Sequence, residues 1–162
     1  NVNVSAKQLE RQSFCKVVLK LLDDIKYPAD HLCLEITERC GSLPQSVIKE
    51  TVSFLKKFGI KFAIDDYGTG SASSSMALNL PVDEIKIDMS FIRDIIENEK
   101  KQMMVQSIVD FANAVHVKTC LEGVADEKLE EYLRTYGASW FQGYYYSKSV
   151  SAEDLIKMIY LQ

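Results

Sequence analysis

The chain has 162 residues, of which 47% are hydrophobic and 26% are charged, and its formal net charge is −4 at pH 7. This length and composition predict one globular core, and the weak negative charge argues against a long nucleic acid as a partner. No apolar run approaches the length of a membrane span, and the 4 scattered cysteines indicate neither a zinc ribbon nor a disulfide framework. We therefore expect one domain, or part of one, in a reducing cytosol.

Six strand patterns alternate with helix patterns along the chain. The strands alternate apolar and polar residues, and the helices carry apolar residues at three- and four-residue spacing. The predicted strands are residues 2–5, 32–38, 61–66, 83–88, 117–123 and 139–144. The predicted helices are residues 9–25, 44–58, a short turn before Pro81, 91–97, 103–115, 127–136 and a last helix through Leu155 and Ile159. Gly59 and Gly137 supply C-terminal stops, and Ser151 with Asp154 predicts a capping box for the last helix.

The repeated order of strand then helix indicates the fold class. Units of about 25 to 35 residues are typical of right-handed crossovers on a parallel sheet. An α/β barrel and a doubly wound open sheet both fit this order. Strands buried on both faces should be nearly all apolar. Here each strand carries a polar group on one face or at its end, which favours the interior of a barrel.

The third predicted strand ends in two adjacent carboxylates, Asp65 and Asp66, followed by a glycine-bounded loop. Neighbouring carboxylates at a buried strand end repel each other, and each would take up a proton unless a cation or hydrogen-bond donors compensated. A divalent metal ion is the simplest compensation. The alternative is a solvated turn in which Asp66 makes an Asx-type hydrogen bond. Since the chain has only 2 histidines, both in predicted loops, oxygen ligands and therefore Mg²⁺, Mn²⁺ or Ca²⁺ are favoured.

Polar side chains of the same phase recur at the ends of the predicted strands. In a barrel, the apolar residues Leu34, Ile36, Ile85 and Ile87 would face the helices, and the polar residues Glu35, Lys86 and Asp88 would point inward. Reactive groups gather at the carboxyl ends of barrel strands. The side chains expected to converge there are those of Asn3, Glu35, Asp65, Asp66, Lys86, Glu122 and Gln142. Each one alone fits a solvated surface residue, but their shared phase predicts a hard-metal site with one extra cation.

Six ordered motifs resemble the EAL family of cyclic di-GMP phosphodiesterases along essentially the whole chain. The motifs are Val2-Asn3-Val4-Ser5, Leu34-Glu35-Ile36-Thr37-Glu38, Asp65-Asp66-Tyr67-Gly68-Thr69-Gly70, Ile85-Lys86-Ile87-Asp88, Glu122-Gly123-Val124 and Gln142-Gly143-Tyr144. The resemblance implies a TIM-type (β/α)8 barrel that hydrolyses one phosphodiester of cyclic di-GMP to linear pGpG with two Mg²⁺ or Mn²⁺ ions. The metal ligands that it implies are Asn3, Glu35, Asp65, Asp66 and Glu122.

The resemblance also implies catalytic roles for individual side chains. Asp65 would bridge the two ions, and Asp66 would serve the second ion. Lys86, kept protonated by the surrounding acids, would orient the attacking water. Glu122 would act beside the metals as ligand or base. The residues implied to line the ligand site or to steady the loop after Asp66 are Gln142, Glu38 and Thr69.

The chain departs from the family pattern in several places. The Glu-Ala-Leu segment that names the family, with its metal-binding glutamate, is absent, and residues 1–162 resemble a domain without its first two strand units. We therefore expect an incomplete barrel whose open edges self-associate or are covered, with little or no activity for these residues alone. Ala125 stands where a second acid is usual, residues 71–74 replace an aromatic residue and a leucine, and Tyr67 replaces phenylalanine.

Three functions are compatible with these observations. The first is a piece of a metal-dependent phosphodiesterase whose parent protein is active, which Asp65, Asp66 and Lys86 favour. The second is a degenerate domain that binds cyclic di-GMP or a protein without cleavage, which Ala125 favours. The third is an unrelated metal-dependent barrel such as an aldolase, which the fold alone would permit. The resemblance also implies a homodimer and a parent chain with diguanylate cyclase or sensory domains, tethered to a membrane only through segments outside this sequence.

Overall fold

The computed structural model describes residues 1–37, 40, 43–69 and 73–160. Its centre is a six-stranded parallel sheet in which the strands lie in chain order, from β1 to β6. The strands are β1 (Val2–Val4), β2 (Cys33–Thr37), β3 (Lys61–Tyr67), β4 (Glu84–Ile87), β5 (Lys118–Glu122) and β6 (Trp140–Gln142). All six predicted strands are therefore present, and the parallel α/β class is confirmed.

Helices connect the successive strands and cover one face of the sheet. They are α1 (Ala6–Leu9), α2 (Phe14–Asp24), α3 (Gln45–Lys56), α4 (Ser73–Asn79), α5 (Met89–Ile92), α6 (Glu99–Ala114), α7 (Glu127–Arg134) and α8 (Ala152–Tyr160), with 3₁₀ turns at Ala29–His31 and Ile95–Glu97. Parallel strands need such crossovers because each connection must return to the same end of the sheet. None of the helices in the described ranges is long and apolar enough to span a membrane.

The hydrophobic core lies between the sheet and the helices. The strand register sets Ile36 beside Ile64 and Ile64 beside Ile85, and all three side chains are completely buried. From the helix side, α3 buries Ile48, Val52 and Leu55, and α6 buries Val105, Ile108, Val109 and Ala112. Each buried aliphatic side chain of this size contributes about 1.5–3 kcal/mol by leaving water. The period of two in the strands thus sends the intervening polar residues to the opposite face of the sheet.

Two helix predictions were wrong in their boundaries. The single helix predicted for residues 9–25 is broken at residues 10–13, so that α1 and α2 are separate. The helix predicted for residues 91–97 is a four-residue α5 followed by a 3₁₀ turn, because Asp94 between them adopts a left-handed conformation with φ +59°. A non-glycine residue in that conformation ends a right-handed helix.

The sheet is not closed into a barrel. Among the described residues, β1 pairs only with β2 and β6 pairs only with β5, so both outer strands have an open edge. Two helices, α2 and α8, which follow β1 and β6 in the chain, also expose apolar side chains, including Leu21 and Val17 of α2 and Ile156 and Ile159 of α8. The structure therefore agrees with the predicted incomplete barrel, whereas self-association of the edges stays a prediction.

Candidate active site

A buried lysine lies at the centre of the candidate site. The Lys86 ammonium contacts Oε1 of Glu35 at 2.8 Å, Oε1 of Glu122 at 2.8 Å and Oδ1 of Asp65 at 3.2 Å. These residues come from four neighbouring strands, β2 to β5, and their side chains share the face of the sheet opposite the hydrophobic core. The Lys86 side chain is only 6% exposed, so three negative charges surround one positive charge with little water.

Burial and ion pairing act in opposite directions on this lysine. Desolvation by itself lowers the pKa of Lys86, but the hydrogen bonds that its ammonium donates to Glu122 and Glu35, together with the nearby carboxylate charges, outweigh that effect. The pKa of Lys86 is therefore well above its ordinary value, and the ammonium stays charged at neutral pH. For Glu122, burial raises the pKa, and the contact with Lys86 only partly offsets that rise. A carboxylate in this position gains from any further cation.

Three carboxylates form an acidic cluster beside Lys86. One carboxylate oxygen from each of Asp65, Asp66 and Glu122 lies within 4.8 Å of the other two. Asp65 and Glu122 are partly buried, and Asp66 is exposed at the mouth of the cluster. Three hard oxygen donors at this spacing match the ligand preference of Mg²⁺ or Mn²⁺. The acidic cluster is thus able to hold a divalent metal ion.

The irregular backbone at the end of β3 brings the two neighbouring aspartates to the same cluster. The register between β3 and β4 shifts between Ile64 and Tyr67, and Asp66 has a positive φ of 54°. Such an irregularity redirects a side chain, and a left-handed non-glycine residue costs of the order of 1–3 kcal/mol. Thr69 holds this conformation, since its hydroxyl donates to the Asp66 carbonyl oxygen at 2.9 Å. Consecutive aspartates, which would point to opposite faces in a regular strand, therefore both reach the acidic cluster.

Glycines allow the loops around the cluster to approach one another closely. A Cβ atom added to Gly143 would lie 2.0 Å from the carbonyl oxygen of Val124, and one added to Gly123 would lie 2.5 Å from Cβ of Met89. Gly123 also has a positive φ of 86°. The main-chain N–H groups of Gly123 and Val124 both donate to the carbonyl oxygen of Gln142, at 2.8 and 3.1 Å. These contacts lock the ends of β5 and β6 together.

A cleft of about 790 Å³ opens beside the acidic cluster. The loops that follow β4, β5 and β6 form its walls, and Asp66 and Glu122 stand at its edge. Gln142, which the family resemblance implies lies near the ligand, also lines this cleft, and its role in binding stays a prediction. The cleft places a large binding space directly against the possible metal ligands.

Comparison with known proteins decides the family. The family model described as "EAL domain" matches residues 1–149. The chain belongs to the EAL domain family. It is 30% identical over 151 residues to cyclic di-GMP phosphodiesterase PdeR of Escherichia coli (strain K12), an alignment that covers 93% of this chain but 23% of PdeR. The family predicted from the six motifs is confirmed, and the chain spans less than a quarter of this relative.

Solved EAL structures share the fold over nearly the whole chain. The EAL domain of Mycobacterium smegmatis DcpA is 31% identical and superposes with a TM-score of 0.91, over 96% of this chain and 70% of that chain. A cyclic di-GMP complex of the phosphodiesterase PaMucR is 29% identical, with a TM-score of 0.87, over 94% of this chain and 62% of that chain. The TIM-type architecture is therefore confirmed, although the six strands of this chain leave the barrel open.

The remaining motif residues have different surroundings, and not all of them join the acidic cluster. Asn3 on β1 lies opposite Glu35 in register and is exposed. Glu35 is held by Lys86 and lies outside the three-carboxylate cluster. Asp88, expected to point inward, lines the cleft and also caps α5 by accepting the Ser90 N–H at 2.9 Å. Glu38 falls outside the described residues, as do Gly70, Ser71 and Ala72 of the loop after β3.

The sequence analysis did not predict one polar contact of the candidate site. The Asn1 side-chain amide donates to Oε1 of Glu35 at 2.9 Å, so Glu35 is held from both β4 and the residue before β1. Asn1 has the same phase as Asn3, and that period of two was a signal that could have identified it.

A second group of titratable side chains lies in the same sheet as Lys86, outside the acidic cluster. Glu84 precedes Lys86 by two residues on the same face, and burial raises the pKa of its carboxyl group. Burial, with the negative charge of Glu84, also raises the pKa of Cys33 to about 11 and that of Cys120 to about 12. These thiols therefore stay protonated at neutral pH and act as packing groups.

Proposed function

We propose that this chain forms the acidic part of the active site of a phosphodiesterase, which hydrolyses one phosphodiester bond of cyclic di-GMP to give linear pGpG. The observation that carries the proposal is the acidic cluster of Asp65, Asp66 and Glu122 beside the protonated Lys86, in a chain of the EAL domain family. PdeR, a relative over 93% of the chain, is named as an enzyme of this activity, which supports the same reaction here.

The residues present fit a site for two Mg²⁺ or Mn²⁺ ions. The donors are carboxylate oxygens at the carboxyl ends of β3 and β5, with Glu35 and Asn3 on the two strands beyond them. Burial raises the pKa of Glu122, so a bound cation would recover the cost of keeping that group ionised. When bound, two such ions supply charge neutralisation for the phosphate and a water of lowered pKa.

The chain's own side chains position the reactants. Lys86 has three N–H donors, which it directs at Glu35, Asp65 and Glu122. By holding these carboxylates in place, Lys86 would orient a water molecule that donates its O–H groups to them, which would leave a lone pair of that water for attack on the phosphate. Because the pKa of Lys86 is raised, this lysine acts as a fixed donor and charge, and it does not take the proton of the water. The adjoining cleft, with Gln142 in its wall, would hold the rest of the dinucleotide.

Hydrolysis by the full-length protein that carries this chain tests the proposal. Cyclic di-GMP is incubated with the protein and Mn²⁺, with an EDTA-treated control, and linear product is separated and quantified. We expect metal-dependent product, and a loss of more than about 100-fold for Asp65→Asn or Asp66→Asn, since even the outer partners of metal ligands are worth about 10- to 100-fold. Asp110→Asn, an exposed aspartate on α6, is the matched control. Unchanged hydrolysis by both site variants would disprove the metal assignment.

One observation supports a second candidate, a receptor that binds cyclic di-GMP without cleaving it. Ala125 lines the cleft and is exposed, at the position where the family resemblance predicted a second acid. Loss of that acid would weaken the ordering of water near Glu122 without closing the cleft. Retained cyclic di-GMP with no linear product in Mn²⁺ would favour this function, and Ala125→Glu would then be expected to restore hydrolysis.

We propose further that residues 1–162 alone hydrolyse little cyclic di-GMP. The edges of β1 and β6 are unpaired in the described structure, and Asn3 on β1 is exposed where a metal ligand is expected. Comparison of this chain with its full-length parent at equal concentration measures the difference. Equal turnover by the two proteins would contradict this part of the proposal.

A further inference from the structure

The Lys86 ammonium and the expected metal ions draw on the same carboxylate groups. Lys86 contacts Glu35, Asp65 and Glu122, and the family resemblance implies that all three are metal ligands. Two of these contacts, to Asp65 and Glu122, reach directly into the acidic cluster. A positive charge therefore lies in contact with two groups that would also coordinate a divalent cation.

Burial makes the charge of this lysine strong at the acidic cluster. The side chain of Lys86 is 6% exposed, and those of Asp65 and Glu122 are 15% and 16% exposed. Little water separates or screens these charges, so the repulsion between the ammonium and a cation on the same carboxylates is larger than it would be at the protein surface. A divalent ion that binds to the acidic cluster therefore binds against that repulsion.

Other contacts hold the carboxylates in position besides those of the lysine. The Asn1 side-chain amide donates to Oε1 of Glu35 at 2.9 Å. The strand end that carries Glu122 is fixed because the Gly123 N–H donates to the Gln142 carbonyl oxygen at 2.8 Å. The backbone of β3, which carries the two aspartates, pairs with β2 on one side and β4 on the other. The contribution that the lysine alone makes to these carboxylates is therefore its positive charge.

We propose that the charge of Lys86 sets the affinity of the acidic cluster for divalent ions, because the ammonium competes with them for Glu35, Asp65 and Glu122. This inference rests on the proposed function and adds the control of its metal occupancy. The ammonium cancels one of the negative charges that would otherwise attract Mg²⁺ or Mn²⁺. The affinity is thereby held low enough that occupancy of the site, and with it hydrolysis, follows the concentration of free divalent ion.

A lysine in this position acts on a metal site in one of two opposite ways. As a clamp, it would hold the carboxylates at the spacing that an ion needs, and its removal would weaken ion binding. As a competitor, it would oppose the ion, and its removal would strengthen ion binding. The second role is favoured here, because without the ammonium the carboxylates keep their other contacts but no longer face the positive charge that opposes an ion.

Mn²⁺ binding in the absence of nucleotide tests this inference. Mn²⁺ is titrated into the full-length protein that carries this chain, and free Mn²⁺ is followed by its electron paramagnetic resonance signal. Binding that persists in a double variant, Asp65→Asn with Asp66→Asn, belongs to other parts of the protein and is subtracted. The variants compared are Lys86→Met, Lys86→Gln and Lys86→Arg. Lys57→Met is the control for net charge, because Lys57 is exposed at the end of α3.

We expect Lys86→Met to bind Mn²⁺ at least about tenfold more tightly than the wild type, since it removes a buried unit charge in contact with the ligands. The gain is limited because a carboxylate that takes up a proton in the variant must release it when the ion binds. Lys86→Gln also lacks the charge but still donates to the carboxylates, so it should shift the affinity in the same direction even if Lys86→Met does not fold. Lys86→Arg and Lys57→Met should bind no more tightly than the wild type.

The outcomes separate this inference from the proposed function. Weaker Mn²⁺ binding by the neutral variants would show that the lysine is a clamp, and unchanged binding would show that its charge does not oppose the ion. Either result overturns the inference, while Mn²⁺-dependent hydrolysis by the wild type would leave the proposed function standing. If the double aspartate variant binds as much Mn²⁺ as the wild type, the metal site of the proposed function is wrong, and this inference is wrong with it.

Discussion

Replacement of Lys86 by methionine is the most direct perturbation of the candidate site. Methionine keeps the length of the buried stem and removes the ammonium, which leaves Glu35, Asp65 and Glu122 facing one another. Their side chains are 6%, 15% and 16% exposed, so solvent compensates little of the lost charge. Removal of one partner from a buried ion pair costs about 3–5 kcal/mol. We take this range for the whole cluster, because protonation of one carboxylate limits the repulsion.

This loss predicts a clear change in thermal unfolding. At about 2–4 °C per kcal/mol for a domain of this size, Lys86→Met should lower the unfolding midpoint by about 6–20 °C, followed by circular dichroism in EDTA. Lys56→Met is the matched control, since Lys56 contacts Asp83 at 2.6 Å but the pair is 28% and 37% exposed. Exposed pairs contribute up to about 1 kcal/mol, so the control should shift the midpoint by no more than about 4 °C.

A second substitution distinguishes charge repulsion from a simple packing defect. In the Lys86→Met background, Glu122→Gln removes one of the three facing carboxylates and should recover part of the lost midpoint. In the wild-type background, the same substitution should lower the midpoint, since it weakens a 2.8 Å contact to the ammonium. A Lys86→Met midpoint no lower than that of Lys56→Met would refute the reasoning, as would a double variant less stable than Lys86→Met.

Other positions yield independent predictions. Gly143→Ala should destabilise the protein by about 1–3 kcal/mol and weaken the binding of cyclic di-GMP, because its new Cβ would lie 2.0 Å from the Val124 carbonyl oxygen. Gly137→Ala is the control, since φ is +74° and no atom lies within 4 Å there. It should bind cyclic di-GMP normally when both variants are dialysed to equilibrium against the dinucleotide in EDTA. Cys15, the least buried thiol, should react first with a thiol reagent at pH 8, and reaction of the buried thiols before it would contradict their raised pKa values. Asp83→Ala should cost about 1–3 kcal/mol in urea unfolding, because a main-chain N–H of β3 loses its acceptor at 2.9 Å; an unchanged midpoint would exclude that contribution.

Strand phase was the most informative pattern in the sequence. A period of two sent Ile36 and Ile85 to the helices and Glu35 and Lys86 to the other face, which is where the structure has them. This prediction succeeded because burial of one face of a strand determines the direction of every side chain along it. Local helix details were less predictable, since the left-handed turn at Asp94 depends on contacts with α6 that lie several residues away.

The sequence by itself determined the order of elements, the family and the residue types at the strand ends, because periodicity and motif order are properties of the chain. Only the tertiary structure decided which of these side chains touch. It joined Lys86 to three carboxylates from three other strands and turned Asp66 toward Asp65 through an irregular strand end. Distances across a sheet depend on register and on backbone irregularities, and these are set by packing between segments far apart in the chain.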